Sequence, residues 1–178
     1  MFDKQYRFTG THAKMVKELT SGFDESGKLR LFKRNLDVYI NAPIIGFINK
    51  RKGQKNTDND IADVSILGDQ LIGESSNLEY VFRLILLLDE EYEPDKTKRL
   101  NKAFRYFGKG ESENDLKLFD EYVLGGVEVF HEKLIQTSSG TFDYIAHLYD
   151  FIADFSELTN RNIASKDIVS LCVNGKQV

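Results

Sequence analysis

A chain of 178 residues with 41% hydrophobic and 12% aromatic residues has enough apolar material for one core, which excludes wholesale disorder. Its single cysteine, Cys172, excludes an intramolecular disulfide, and its longest apolar run, residues 84–88, is far short of the roughly 20 residues that a membrane span needs. The net charge of −4 conceals a split, because residues 1–60 hold 12 Lys/Arg and 7 Asp/Glu whereas residues 61–178 hold 12 and 21.

Spacings of three and four residues dominate the chain, and only Pro43 and Pro94 interrupt them. Thr11 can cap a first helix running to about residue 20, with Met15, Val16 and Leu19 inward. Gly22 and Gly27 mark residues 21–27 as a loop. A second helix is expected from about Leu29. Phe32, Leu36, Tyr39, Ile40, Pro43, Ile44 and Phe47 lie on one side of it, and Arg30, Lys33, Arg34, Asp37 and Asn41 on the other. Pro43 should bend or restart that helix, because proline donates no backbone hydrogen bond. Gly46 leaves room for close packing. Residues 50–60 read as a mobile basic and polar loop.

Residues 61–72 are ambiguous, with a short extended piece around Val64, Ile66 and Leu67 and then a helical turn from Asp69. A helix over residues 75–88, capped by Ser76 or Asn77, is apolar nearly all round and is the expected buried central helix. The acidic run Asp89, Glu90, Glu91 and Glu93 closes it as a solvated turn. Pro94 opens a helix carrying Leu100, Ala103, Phe104 and Phe107 and ending at Gly108. Ser112 or Asn114 caps a longer helix over about residues 115–135, with Leu116, Phe119, Val123, Val127, Phe130 and Leu134 apolar. Gly125 and Gly126 sit in its middle at a cost of about 1 kcal/mol each relative to alanine, so they imply a kink, a second helix crossing at close range, or an oligomer contact. The last long helix, about residues 142–158, packs Ile145, Leu148, Tyr149, Ile152 and Phe155. Residues 165–173 have the spacing of a short terminal helix, with Cys172 as a small buried apolar residue.

The sum is an all-α fold: a compact single-domain bundle of six or seven helices over residues 1–178, with room for one short extended segment near residues 61–67. Residues 159–178 form a C-terminal appendage. The N-terminus carries charges in place of an apolar leader, and the expectation is a soluble cytoplasmic protein with no membrane contact.

The chemistry-bearing residues fall into three groups. Between residues 28 and 55, Lys28, Arg30, Lys33, Arg34, Lys50, Arg51, Lys52 and Lys55 stand against Asp37 alone. Such a block suits the phosphates of DNA or RNA, an acidic protein partner, or the ordinary charged face of an exposed helix. The nearby aromatics Phe32, Tyr39 and Phe47 have core spacing, so any nucleic-acid contact would be to backbone.

Glu128 and His131 form a Glu-x-x-His pair of the kind used in di-iron bundles. No second such pair exists, which leaves a solvated helix face and no metal expected. Asp143, His147, Asp150, Asp154 and Glu157 line one side of the final helix. They read as a solvent face, as a base flanked by carboxylates, or as an acidic surface that recruits a basic partner. Phosphate loops, dinucleotide-binding glycines, nucleophile elbows and paired cysteines are all missing, so no catalytic residue and no cofactor is assigned. The enzymatic alternative is a small helical metal-dependent hydrolase using Glu128 and His131 or Asp143, His147 and Asp150. A structural alternative is a homo-oligomer built through Gly125 and Gly126.

Two segments carry a resemblance. Asp37-Val38-Tyr39-Ile40-Asn41-Ala42-Pro43-Ile44-Ile45-Gly46-Phe47, followed by Lys50-Arg51-Lys52, is the first. Phe119-Asp120-Glu121-Tyr122-Val123-Leu124-Gly125-Gly126-Val127-Glu128-Val129 is the second. Together they resemble the small DNA-phosphorothioation-associated proteins of bacterial anti-phage defence islands. The resemblance implies a non-catalytic accessory protein of a DNA-directed defence system, with DNA, a defence-system protein or both as partners. It carries over no catalytic residue.

Overall fold

The computed structural model describes residues 1–162 apart from 57 and 59, with side chains described to residue 157. The short helix expected over residues 165–173 and Cys172 lie outside the described residues. A three-residue strand, β1 (Tyr6–Phe8), pairs antiparallel with β2 (Val64–Ile66), setting Tyr6 opposite Ile66 and Phe8 opposite Val64. β2 falls on the extended piece expected there. β1 is too short to show an alternation of its own. Its hydrogen bonds come from a partner far along the chain, and burial of Phe8 and Ile66 supplies the stabilisation.

Helix α1 (Gly10–Thr20) buries Ala13, Val16 and Leu19. It starts at Gly10, whose φ of +53° suits glycine, and a Cβ there would lie 2.6 Å from the Asn56 carbonyl oxygen. Residues 21–34 do not begin the second helix. Asp24 folds them into a tight loop by accepting from the backbone N–H groups of Ser26 (3.1 Å) and Leu29 (2.7 Å), and Phe23 N–H donates to the Leu29 carbonyl (3.0 Å). Helix α2 therefore starts six residues later than the spacing suggests, as Asn35–Ile48. It also runs through Pro43 without ending. Ala42, Pro43 and Gly46 present a buried small-residue face to a neighbouring helix, and that packing offsets the hydrogen bond that proline cannot donate.

Helix α3 (Gly68–Gly73) leads almost directly into α4 (Ser75–Leu88), so Glu74 occupies the junction and neither Ser76 nor Asn77 caps. α4 buries Leu78, Val81, Phe82, Ile85 and Leu86 but exposes Tyr80 and Leu88. It is a one-sided wall of the bundle, not its centre. Asp95 caps α5 (Lys96–Leu100) by accepting from Thr97 N–H (2.7 Å) and Lys98 N–H (3.0 Å), and a π-turn over Asn101–Arg105 continues it. A 3₁₀ turn (Gly110–Ser112) then feeds α6 (Glu113–Leu134).

α6 is the central helix. Leu118, Phe119, Tyr122, Val123, Val127, Phe130 and Leu134 are all buried, and α1, α2, α4 and α7 (Thr141–Asn162) pack around it. The Phe119 ring lies 5.5 Å from Phe2, 5.7 Å from Phe82 and 6.4 Å from Tyr39, which ties the N-terminus, α4 and α2 to one point. Seven α-helices and one two-stranded sheet are thus present among the described residues, an all-α bundle. None of those helices is long and apolar enough to cross a membrane.

α7 departs from the expected packing. Leu148, Phe151 and Phe155 rest on the core, and Tyr144 stacks on Phe23 at 5.0 Å. Ile145, Tyr149 and Ile152, expected inward, face outward. The helix is apolar on two adjoining faces, and spacing alone cannot say which of them the body covers.

Candidate anion-binding cleft and charge network

The eight cations do not form one patch. Helix α2 separates them into two groups roughly 20 Å apart, since its 14 residues rise about 1.5 Å each. The first group precedes α2 on the 21–34 loop. Arg30, Lys33 and Arg34 meet around an open polar cleft of about 400 Å³, whose other walls include Thr20, Asn35, Ser65 and Gln70. Lys28 is exposed on the same loop. Arg34 is partly neutralised. Its guanidinium donates to Asp37 (2.6 Å and 3.0 Å) and stands 3.9 Å from Glu74, so the pair secures the first turn of α2. Arg30 donates through Nε only to the Gly27 carbonyl (3.4 Å), and Lys33 is exposed with no ion pair among the described residues. All three were expected on a helix face; Arg30 and Lys33 lie on the loop, and Arg34 sits at the N-cap.

The second group is tied to carboxylates. Lys50 lies 3.3 Å from Glu91, Arg51 lies 2.9 Å from Glu132 and 3.9 Å from Glu128, and Lys55 lies 3.8 Å from Asp120. Lys52 sits over the Tyr122 ring at 5.0 Å. The backbone here also clasps α6. Gly53 N–H donates to the Glu121 carbonyl (2.8 Å), and the Arg51 carbonyl lies where a Cβ on Gly125 would be.

A Cβ on Gly126 would overlap the Ala42 carbonyl oxygen, and one on Gly46 would overlap that of Tyr122. The glycines of the Tyr122-x-x-Gly125-Gly126 stretch therefore serve intramolecular packing of α6 against α2 and the segment after it. Both are buried there and present no surface to a second copy.

Glu128 and His131 do not act together. His12 Nε2 lies 3.0 Å from Glu128, and His131 Nε2 lies 2.6 Å from Glu18, so each member of the motif reaches a different partner on α1. Nothing in the sequence marks His12 or Glu18, because the pairing exists only once the helices cross. Asp143 accepts from the backbone N–H groups of Ser139 (2.9 Å) and Gly140 (3.1 Å) and from the Ser139 hydroxyl (2.7 Å). Those hydrogen bonds, led by the hydroxyl, hold its carboxyl below the usual range. His147 Nδ1 lies 2.8 Å from Ser138 Oγ, and Asp150 is exposed. Among the described residues no hydrogen bond joins Asp143, His147 and Asp150 to one another. Among the described residues no three His, Cys, Asp or Glu side chains are placed to hold a metal ion.

The acidic run after α4 is not simply solvated. Asp89 is buried and accepts from the Tyr122 hydroxyl (2.7 Å) and Tyr92 N–H (3.0 Å). Tyr92 in turn donates to buried Asp115 (2.7 Å), which also pairs with Lys102 (2.7 Å). This chain of contacts fixes the end of α4 against α6.

Asp120, beside Lys55, is the carboxylate with the clearest electrostatic consequence. Burial raises its pKa to about 6, Lys55 opposes the rise, and Glu121 adds to it. The folded state therefore holds the Asp120 proton more tightly than the unfolded chain does. The stabilisation from this group is complete below about pH 4 and is lost as pH climbs through about 6. Asp120→Asn is expected to raise the unfolding free energy at pH 7.5 by about 1–2 kcal/mol and to leave it unchanged at pH 4, read by urea titration at both pH values. Equal effects at the two pH values would refute the assignment.

In comparisons with known proteins, no family model, no curated protein and no solved structure matches this chain.

Proposed function

We propose that the protein is a non-catalytic accessory subunit that holds the phosphate backbone of duplex DNA at the N-terminal end of α2. The observation that carries this reading is the unequal fate of the cations. Lys50, Arg51 and Lys55 face carboxylates of their own chain, whereas Arg30 and Lys33 are left to solvent around one polar cleft, with Lys28 exposed on the same loop. The same cleft reaches Asn35, the first residue of α2, where the helix dipole adds partial positive charge. The net charge of −4 would repel a polyanion, and this local pole is what can attract one. Cations on a loop, in a sequence with no helix-turn-helix or zinc-finger spacing, imply backbone contact with little sequence preference. The resemblance at Tyr122-Val123-Leu124-Gly125-Gly126-Val127-Glu128 suggests the setting, a bacterial DNA-directed defence system.

Fluorescence anisotropy with a random-sequence duplex tests the reading. Three phosphate contacts imply a log–log salt slope of about −2.7, so affinity should fall roughly 40-fold between 50 and 200 mM salt. Arg30→Glu with Lys33→Glu should abolish binding. Lys50→Glu, at a highly exposed pair, should leave it unchanged. Binding that survives the double reversal, or no binding at 50 mM salt, would overturn the proposal.

A further inference from the structure

α7 carries more apolar surface than the body covers. Phe142, Ile145, Tyr149 and Ile152 are 86%, 49%, 74% and 58% exposed. Their spacing of three, four and three residues stacks them as one ridge along the helix. Scattered exposed apolar residues are ordinary, but a continuous row on one element marks a contact surface. Across Ala146 and Ala153 from the ridge, the outer side of the helix is acidic. At 3.6 residues per turn, Asp143, His147, Asp150, Asp154 and Glu157 follow one edge, and no Lys or Arg occurs on α7 between residues 141 and 157. Asp143 is engaged at the start of the helix, and Asp154 stands 4.0 Å from Lys133. Asp150 is exposed with no ion pair among the described residues. The opposite border of the ridge opens into an apolar groove of about 310 Å³ between α7 and α2, where Ile152 and Leu148 face Phe32, Asn41 and Ile44.

We propose that this outer face of α7 docks a basic amphipathic helix from a partner protein. The apolar anchors of that helix seat on the 142/145/149/152 ridge and in the groove, and Lys or Arg along its edge meets Asp150 and Asp154. The charge pattern decides between occupants. A second copy of this chain would bring another acidic edge whose one basic complement on the same helix is Arg161, near its end, so like charges would be set together along most of its length. The site is separate from the cationic cleft and depends on different residues, so it stands or falls independently of DNA binding.

The probe is a synthetic 18-residue helical peptide with leucine at positions i, i+3, i+4 and i+7 and lysine along one edge. A second peptide carries glutamate in place of lysine. With the full-length chain, the lysine peptide should bind and the glutamate peptide should not. Tyr149→Ser with Ile152→Ser should abolish binding while leaving the urea midpoint unchanged, because both side chains lie outside the core. Asp150→Lys with Asp154→Lys should weaken the lysine peptide roughly tenfold and confer binding of the glutamate peptide. That exchange is an outcome that mere loss of folding cannot produce. The proposal is overturned if neither peptide binds, including the case in which residues 163–178 already occupy the face. Equal binding of both peptides overturns it too, as does a dimer in light scattering that Tyr149→Ser dissolves.

Discussion

Phe119→Ala is expected to lower the unfolding free energy by about 4 kcal/mol, the largest effect of any single truncation proposed for this chain. The side chain is fully buried on α6, and its ring meets Phe2, Tyr39 and Phe82 from three separate parts of the fold. Removing it forfeits the transfer free energy of a phenyl group and leaves a cavity. Its neighbours are themselves large rings held by other contacts, so they cannot collapse into that space. Urea unfolding should show a lower midpoint with an unchanged m-value, and Phe119→Leu should recover more than half of the loss. A loss under about 1 kcal/mol would mean that the aromatic cluster is not where the core is held.

Gly126→Ala should cost about 3 kcal/mol even though alanine is the better helix former. The propensity gain is about 1 kcal/mol, and overpacking here is on the order of 4, above the usual range because the obstacle is backbone. The new methyl would meet the Ala42 carbonyl of α2, which has no rotamer to change, so the two helices must move apart. Separation would in turn disturb the approach of Gly46 to Tyr122 and of Arg51 to Gly125. Gly73→Ala is the matched control. Open space surrounds that position, so its effect should stay within about 0.5 kcal/mol. The close crossing would be refuted by a Gly126→Ala protein as stable as the parent.

How much of this was legible in the sequence varies by element. The helices over Gly10–Thr20, Ser75–Leu88 and Glu113–Leu134 show clear spacing and fall within a residue or two of where it places them. The start of α2 was not legible. Arg30, Lys33 and Arg34 continue the helical pattern on paper, but the Asp24 side chain offers the backbone N–H groups of Ser26 and Leu29 a competing loop. The paired glycines left a kink, a close crossing and an oligomer contact open, and the structure shows the crossing, with α2 as the element that crosses. The Glu-x-x-His spacing predicts a shared face, yet Glu128 and His131 turn to His12 and Glu18, which lie more than a hundred residues away in sequence.

By itself the sequence determined that this is an all-α bundle, that a charge split runs along the chain, and that two adjacent glycines stand in the middle of α6. These follow from local periodicity and composition, which each segment holds within itself. Only the tertiary structure decided which cations stay free, which carboxylates answer the others, and which of the two apolar faces of α7 is left outside. Burial and ion pairing are relations between segments distant along the chain, and no segment alone contains them.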